Sequence, residues 1–205
     1  MIGMTGLAPK LSGLIMELGG QNLILSLIIA TIIPFILGTS LPVAPTYILC
    51  LSILSAPLLN LGIKAEAVHL FFIYWSMLGG VTPPTCTQAM VAAGISGGNW
   101  VKTGFLSVKL GIVAFIIPFF FAINPSLIGL SSWGEVIFSA TTGFLGVLLL
   151  SFSIFWDFRS GLSVPLRTAL FICGLLALYP AFLASLVGLL AAFLLILLSK
   201  KVKPL

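Results

Sequence analysis

Charge is what this chain has least of. Its 205 residues include nine Lys or Arg, four Asp or Glu and a single His, so 6% are charged, against about 25% in an ordinary soluble domain. Thirteen charged side chains cannot form the polar coat that a soluble fold requires, which excludes a soluble globular domain. Cysteine and histidine are also sparse. Cys50, Cys86 and Cys173 lie in apolar surroundings without CxxC spacing and read as small packing residues, not a disulfide or metal set. No second His or carboxylate stands at zinc-ligand spacing from His69. The many Ser and Thr residues have no evident partner base for nucleophilic catalysis; Cys86 and His69 are the only candidates for an intramembrane enzyme, and an enzyme is not expected. The net charge of +5 would suggest nucleic acid in a soluble protein, but here the basic residues sit at segment ends, where they act as topology signals. The first residues do not have the basic region and clean apolar core of a cleavable signal peptide.

What the chain has instead is hydrophobic length, with 60% of residues apolar. No Asp, Glu, Lys or Arg occurs between Glu17 and Lys64, from Ala67 to Val101, Leu110 to Gly134, Val136 to Trp156 or Thr168 to Ser199. Each stretch reaches the roughly 20 residues that a membrane-spanning helix needs. The expected fold class is an all-α polytopic membrane protein. Residues 1–22 form an N-terminal segment with a short interfacial helix over Leu11–Leu18. Residues 23–104 hold two interrupted segments, and residues 105–167 two further transmembrane helices. Residues 168–205 form a C-terminal helix or helical pair, interrupted at Tyr179-Pro180 and closed by Lys200, Lys201 and Lys203. Within 105–167, Phe105–Ile123 reads as one span, Asn124–Glu135 as a loop and Val136–Phe155 as a second span. Trp75, Trp100, Trp133 and Trp156 lie mostly near segment ends, as interfacial anchors do. Asp157 and Arg159 read as a solvated loop pair, His69 as an interfacial or packing residue, and Glu135 as marking an interface.

The two interruptions carry the functional argument. Leu23–Gly62 would measure about 60 Å as one straight helix, twice the hydrocarbon thickness, so it must fold back, as a hairpin whose tip lies inside the membrane or as two short complete spans. The turn falls at Gly38-Thr39-Ser40-Leu41-Pro42-Val43-Ala44-Pro45, followed by Thr46. The next segment, Ala67–Ser96, centres on Gly79-Gly80-Val81-Thr82-Pro83-Pro84-Thr85-Cys86-Thr87-Gln88. There two prolines remove backbone donors and push Thr82 out of the α region. Unwound backbone survives in lipid only where it is buried in protein or lines a wet cavity, and interrupted hydrophobic segments are the sequence pointer to a transporter's binding site. A broken helix offers the positive end of a half-helix to an anionic group, and offers carbonyls and hydroxyls to a hard cation. Gly38, Gly79 and Gly80 allow close approach. The isolated Pro34, Pro57, Pro118 and Pro180 read as ordinary kinks and packing points.

These residues are similar to the permease of the tripartite ATP-independent periplasmic (TRAP) transporters, in the type whose membrane subunits are fused into one chain. The matching features are Gly38, Pro42 and Tyr47 at the tip, then Thr82-Pro83-Pro84, Ala93-Gly94-Ile95, Pro118-Phe119 and Asn124-Pro125; the resemblance extends over nearly the whole chain. It implies the second inverted repeat of an elevator-type transporter, with Leu23–Gly62 a re-entrant hairpin entering from outside and Ala67–Ser96 a broken helix. It further implies import of small organic acids with Na⁺, fed by an extracytoplasmic substrate-binding protein, in the cytoplasmic (inner) membrane of a prokaryote. The site residues would be Gly38, Thr39, Ser40, Pro42, Thr46, Gly79, Gly80, Thr82, Pro83, Pro84, Thr85, Thr87 and Gln88. Na⁺ would sit at Ser40, Thr46, Thr82 and Thr85, and Gln88 would touch substrate. Lys102, Lys109, Arg159 and Arg167 would share the cytoplasmic face, opposite Lys10, Glu17, Lys64, Glu66 and Glu135. The family's first hairpin and first broken helix have no counterpart in this sequence, so the chain reads as a fragment or split-gene product that needs the N-terminal half of the permease and does not transport alone. The alternative is a non-transporting scaffold or remnant subunit.

Overall fold

The computed structural model describes residues 6–155 and 164–201. These are helical, with no strand among them: α1 (Leu7–Gly19), α2 (Leu23–Ser40), α3 (Val43–Asn60), α4 (Ala65–Val81), α5 (Thr87–Ser96), α6 (Trp100–Leu110), a 3₁₀ turn (Ile112–Phe115), α7 (Ile117–Ile123), a second 3₁₀ turn (Pro125–Ile128), α8 (Trp133–Phe155), α9 (Val164–Leu178) and α10 (Phe182–Lys201). Among the described residues, α2, α3 and α8 are each long and apolar enough to cross a membrane. The Asp157–Arg159 pair, Trp156 and Lys203 lie outside the described residues. The chain divides into two compact units, the first ending at Ala122 and the second starting at Ile123.

In the first unit, α2 shows why so apolar a helix still has a definite inner face. Ile24, Ile28, Ile32 and Ile36 recur every four residues and are all about half exposed or more, while Leu27, Ala30, Thr31, Pro34 and Gly38 are buried. Four-residue spacing keeps one stripe outward, and because that stripe is as apolar as the interior it suits a hydrocarbon surround. Asn22 starts the helix, its side-chain oxygen accepting from the amides of Ile24 and Leu25 at 3.1 and 3.2 Å. The far ends of α2 and α3 return to one element, α1. The Ser12 hydroxyl donates to the Ile53 carbonyl of α3 at 2.7 Å, and Gly19 abuts Ser26 of α2. The chain therefore folds back across Leu23–Gly62, and α4 packs against both arms. The N-terminal helix is longer than the expected Leu11–Leu18, and it buries Ile15.

Three expectations need correction. Phe105–Ile123 is not one straight span: α6 ends at Leu110, and the segment Ile112–Ile123 leaves it at 66°. Asn124–Glu135 is not all loop. Asn124 caps a 3₁₀ turn through the amide of Ser126, and α8 already begins at Trp133. Trp75 is no interfacial anchor; it is 7% exposed and meets Phe35, Phe71, Phe115 and Phe119 at centroid distances of 5.8–6.4 Å. Its apolar surroundings and mid-helix position in α4 give the ring a core role. Trp133, in contrast, is 83% exposed at the start of α8.

The second unit holds α8, α9 and α10, and its interior combines small and hydroxylic residues with buried Leu149, Leu150, Leu170 and Leu178. The buried face of α8 carries Ser139, Thr142, Gly143, Gly146 and Ser153, while Ile137, Phe144, Leu145 and Phe152 point outward. Small residues let helix backbones approach where no water-driven force holds them together. A Cβ built on Gly146 would lie 3.0 Å from the Gly174 carbonyl of α9, and one on Gly188 of α10 would lie 2.8 Å from the Cys173 carbonyl. Residues 168–199 are thus a helical pair that turns back at Tyr179-Pro180. Arg167 closes the other end of the unit by donating to the Ser153 and Ile154 carbonyls at the end of α8, both at 3.1 Å.

Candidate functional site

The first interruption is narrower than expected. Gly38, Thr39 and Ser40 remain in α2, and Val43, Ala44 and Pro45 form the opening turn of α3, so only Leu41 and Pro42 are non-helical. Leu41 is extended (φ −110°, ψ 153°), as a residue before proline must be. Pro45 is tolerated because a first-turn residue has no intrahelical acceptor for an N–H. The second interruption spans Thr82 to Cys86. Gly79 and Gly80 still belong to α4, and Thr87 and Gln88 open α5. Thr82 is extended before Pro83, and the Pro83-Pro84 bond is cis. Cys86 is the non-glycine residue with positive φ (32°) among the described residues, and it is fully buried.

The two interruptions touch. The Thr85 hydroxyl donates to the Thr39 carbonyl, tying the second break to the last turn of α2. One turn away, α2 and α4 cross with no side chain between them: a Cβ on Gly79 would lie 2.7 Å from Gly38 Cα, and one on Gly38 would lie 2.9 Å from the Ser76 carbonyl. Gly80 is covered by the Gln88 side chain. Behind the crossing stand the rings of Phe35, Trp75, Phe115 and Phe119.

Each hydroxyl can be followed to its partner. Thr82 donates to the Leu78 carbonyl at 2.6 Å and Thr39 to the Ile36 carbonyl at 2.7 Å, with Ser40 3.4 Å from Thr39. A hydroxyl whose hydrogen is held by a carbonyl keeps its lone pairs for an incoming group, which is the capacity a hard cation needs. Thr46, one turn into α3, is fully buried and its oxygen has no partner. A buried polar atom left unpaired costs about 1–3 kcal/mol. Among the described residues no hydrogen bond joins Thr46 or Ser40 to Thr82 or Thr85. Ser40, Pro42, Pro84, Thr87 and Gln88 are exposed. The N-termini of α3 and α5 both open at these breaks without a side-chain cap, leaving first-turn amides and the positive end of each helix available to an anion.

Sequence reasoning missed several participants. Ser76 is buried, and its hydroxyl donates to the Phe72 carbonyl at 2.7 Å. Gly104 of α6 lies against Cys86 and Pro83. Tyr47 hydrogen-bonds His69 Nδ1 at 2.5 Å, joining α3 to α4. Only the small size of Ser76 and Gly104 in apolar runs hinted at close packing, and nothing in the sequence pairs Tyr47 with His69. A shallow cavity of about 290 Å³ occurs in the second unit, beside Ser126, Glu135, Phe138 and Phe182, and holds none of the break residues.

Comparison with known proteins gives one family, described as the tripartite ATP-independent periplasmic transporter, DctM component, matching residues 1–136. The resemblance thus stops short of the nearly whole-chain extent expected, covering all the quoted motifs but not residues 137–205. No significant match occurs among curated proteins or among solved structures. With two interrupted apolar segments held together at their breaks and a family match over about two-thirds of its length, this chain belongs to the DctM component family of the tripartite ATP-independent periplasmic transporters and is a multi-pass membrane protein.

Proposed function

We propose that the two breaks supply half of the ion and substrate cavity of a secondary transporter that imports small organic acids with Na⁺ from an extracytoplasmic binding protein, across the cytoplasmic membrane of a prokaryote. The observation that carries this reading is the direct contact between the breaks, through Thr85 on Thr39 and Gly38 on Gly79. It ties Thr85 of the second break to the last turn of α2, and an uncapped helix end opens at each of the two breaks. Ser40, Thr46, Thr82 and Thr85 are the Na⁺ candidates, with Thr39 and Thr87 as further hydroxyls. The amides that open α3 and α5, together with Gln88, would take the carboxylate. No Lys or Arg lies within either break, so charge recognition rests on helix ends and on groups from a companion half. In this reading α2–α3 is a re-entrant hairpin and α4–α5 the broken helix of an elevator-type repeat.

The test is uptake into proteoliposomes that hold this chain with its companion permease half and a carboxylate-loaded binding protein. Uptake is expected to need an inward Na⁺ gradient, and Ser40→Ala and Thr82→Ala to raise the Na⁺ concentration for half-maximal rate. Equal uptake in K⁺, or unchanged Na⁺ dependence in both variants, would overturn the assignment.

A further inference from the structure

We infer that the cavity at the start of α8 receives the headgroup of a zwitterionic phospholipid, with its primary ammonium group against the Glu135 carboxylate. The cavity, of about 290 Å³, is bounded by Ser126, Glu135, Phe138, Ser139, Pro180 and Phe182, all within the second unit. That volume is about ten times the share of one water molecule in the liquid, room for a headgroup but not for acyl chains. Glu135 is exposed and, among the described residues, has neither an ion pair nor a hydrogen bond. Ser126 donates its hydrogen to the Ser131 hydroxyl at 2.9 Å, which leaves its lone pairs available, and Pro180 has no N–H. Phe138 and Phe182 stack with centroids 4.7 Å apart, and an aromatic face attracts a cation. Carboxylate, lone pairs and rings all favour positive charge. Among the described residues, the unit's own cations stand elsewhere. Arg167 is held at the end of α8. Lys200 and Lys201 close α10, roughly 27 Å or more along the helix from Phe182.

The place of the cavity argues for a lipid. α8 is long and apolar enough to cross a membrane, so its first turn lies at one edge of the hydrocarbon layer, where Trp133 is 83% exposed. Phe182 and its neighbour Leu183, like Ile137 beside Phe138, are more than half exposed. A ligand here meets acceptors at its polar end and apolar surface alongside, as a headgroup joined to acyl chains requires. A primary ammonium brings three donors, whereas a quaternary one brings none. The first-turn amides of α8 lack intrahelical acceptors and suit the adjoining phosphate. Phe138, Ser139, Pro180 and Phe182 lie beyond the family-matching residues 1–136. The inference needs only that α8 crosses a membrane, so a failed uptake assay leaves it standing.

The experiment uses the full chain in nanodiscs of phosphatidylcholine, alone or mixed with phosphatidylethanolamine or phosphatidylglycerol, with retained lipid identified by native mass spectrometry. Phosphatidylethanolamine is expected to be retained over phosphatidylcholine. Glu135→Gln, which removes the charge at constant size, should lower that preference about fivefold, and Phe182→Ala should lower it as well. Phosphatidylethanolamine should also raise the thermal midpoint of the parent chain but not of Glu135→Gln. Similar midpoints of the two in phosphatidylcholine alone would separate lost binding from misfolding. Equal retention of the two zwitterionic lipids, or an unchanged preference in both variants, would overturn the ammonium assignment. Preferential retention of phosphatidylglycerol would give the site to an anion instead. A midpoint raised as far by free ethanolamine in phosphatidylcholine nanodiscs would overturn the lipid as the source of the ammonium group.

Discussion

Gly79 has no room for a methyl group. Its Cβ would fall 2.6 Å from the Gly38 carbonyl carbon and 3.0 Å from the Phe35 carbonyl oxygen, and backbone cannot rotate aside as a side-chain tip can. Gly79→Ala should therefore push α2 from α4 and lower stability by roughly 1–3 kcal/mol, read as a drop in the thermal midpoint of the detergent-solubilised protein. Gly94 provides the opposite case. It is mid-helix in α5, and a Cβ there meets nothing within 4 Å, so Gly94→Ala should stabilise by up to about 1 kcal/mol through chain entropy alone. If both substitutions moved the midpoint the same way, the close crossing would not be what Gly79 serves. Thr85 can be tested by chemistry instead of size. Thr85→Val removes the donor to the Thr39 carbonyl at nearly constant volume and should cost about 1 kcal/mol, whereas Thr85→Ser should retain the bond. Amide exchange at Thr87–Ala89 should rise in the valine variant only.

Among the elements, what could be read in the sequence was whatever proline dictates. Pro42 and Pro83 lack an N–H and force Leu41 and Thr82 to be extended, so both breaks lie where the residues demand. Their extent was less legible. Gly38, Thr39, Ser40, Gly79 and Gly80 are poor helix formers in isolation, yet all remain helical; at Gly38 and Gly79, where α2 and α4 pack directly, tertiary contact overrode propensity. The 66° turn after α6 was invisible for a different reason: an apolar run has the same composition whether straight or bent, and only Gly111 marked the place. Helix starts were also passed over, although Asn22, Asn99 and Asn124 each accept backbone amides from the turn they open. Removing such a cap costs about 1 kcal/mol, so Asn99→Ala should fray the start of α6. The check is faster exchange of the Val101 and Lys102 amides, which Asn99 now holds at 3.0 and 3.1 Å, with Asn99→Asp restoring protection.

Over the whole molecule, large apolar side chains face outward as well as inward. Ile, Leu and Phe occupy the outward stripes of α2 and α8, while the inner face of α8 mixes Gly, Ser and Thr with Leu149 and Leu150. Without a hydrophobic force between helices in lipid, cohesion must come from backbone approach and dispersion. Each unit has its own version of that solution, Gly38 on Gly79 in the first and Gly146 on Gly174 in the second, and this makes their cores separable by substitution. A side chain at position 146 would meet the Gly174 carbonyl at 3.0 Å and Ala177 Cβ at 3.2 Å. Gly146→Val should therefore part α8 from α9 and cost roughly 1–3 kcal/mol. Since distant sites with no shared partner act additively, the loss should be confined to the second unit. Hydrogen exchange should speed up along α8, α9 and α10, while the amides around the Gly38–Gly79 crossing keep their protection. Parallel loss at that crossing would mean that the two cores share their stability, and that the candidate site depends on a three-helix unit which contributes none of its residues.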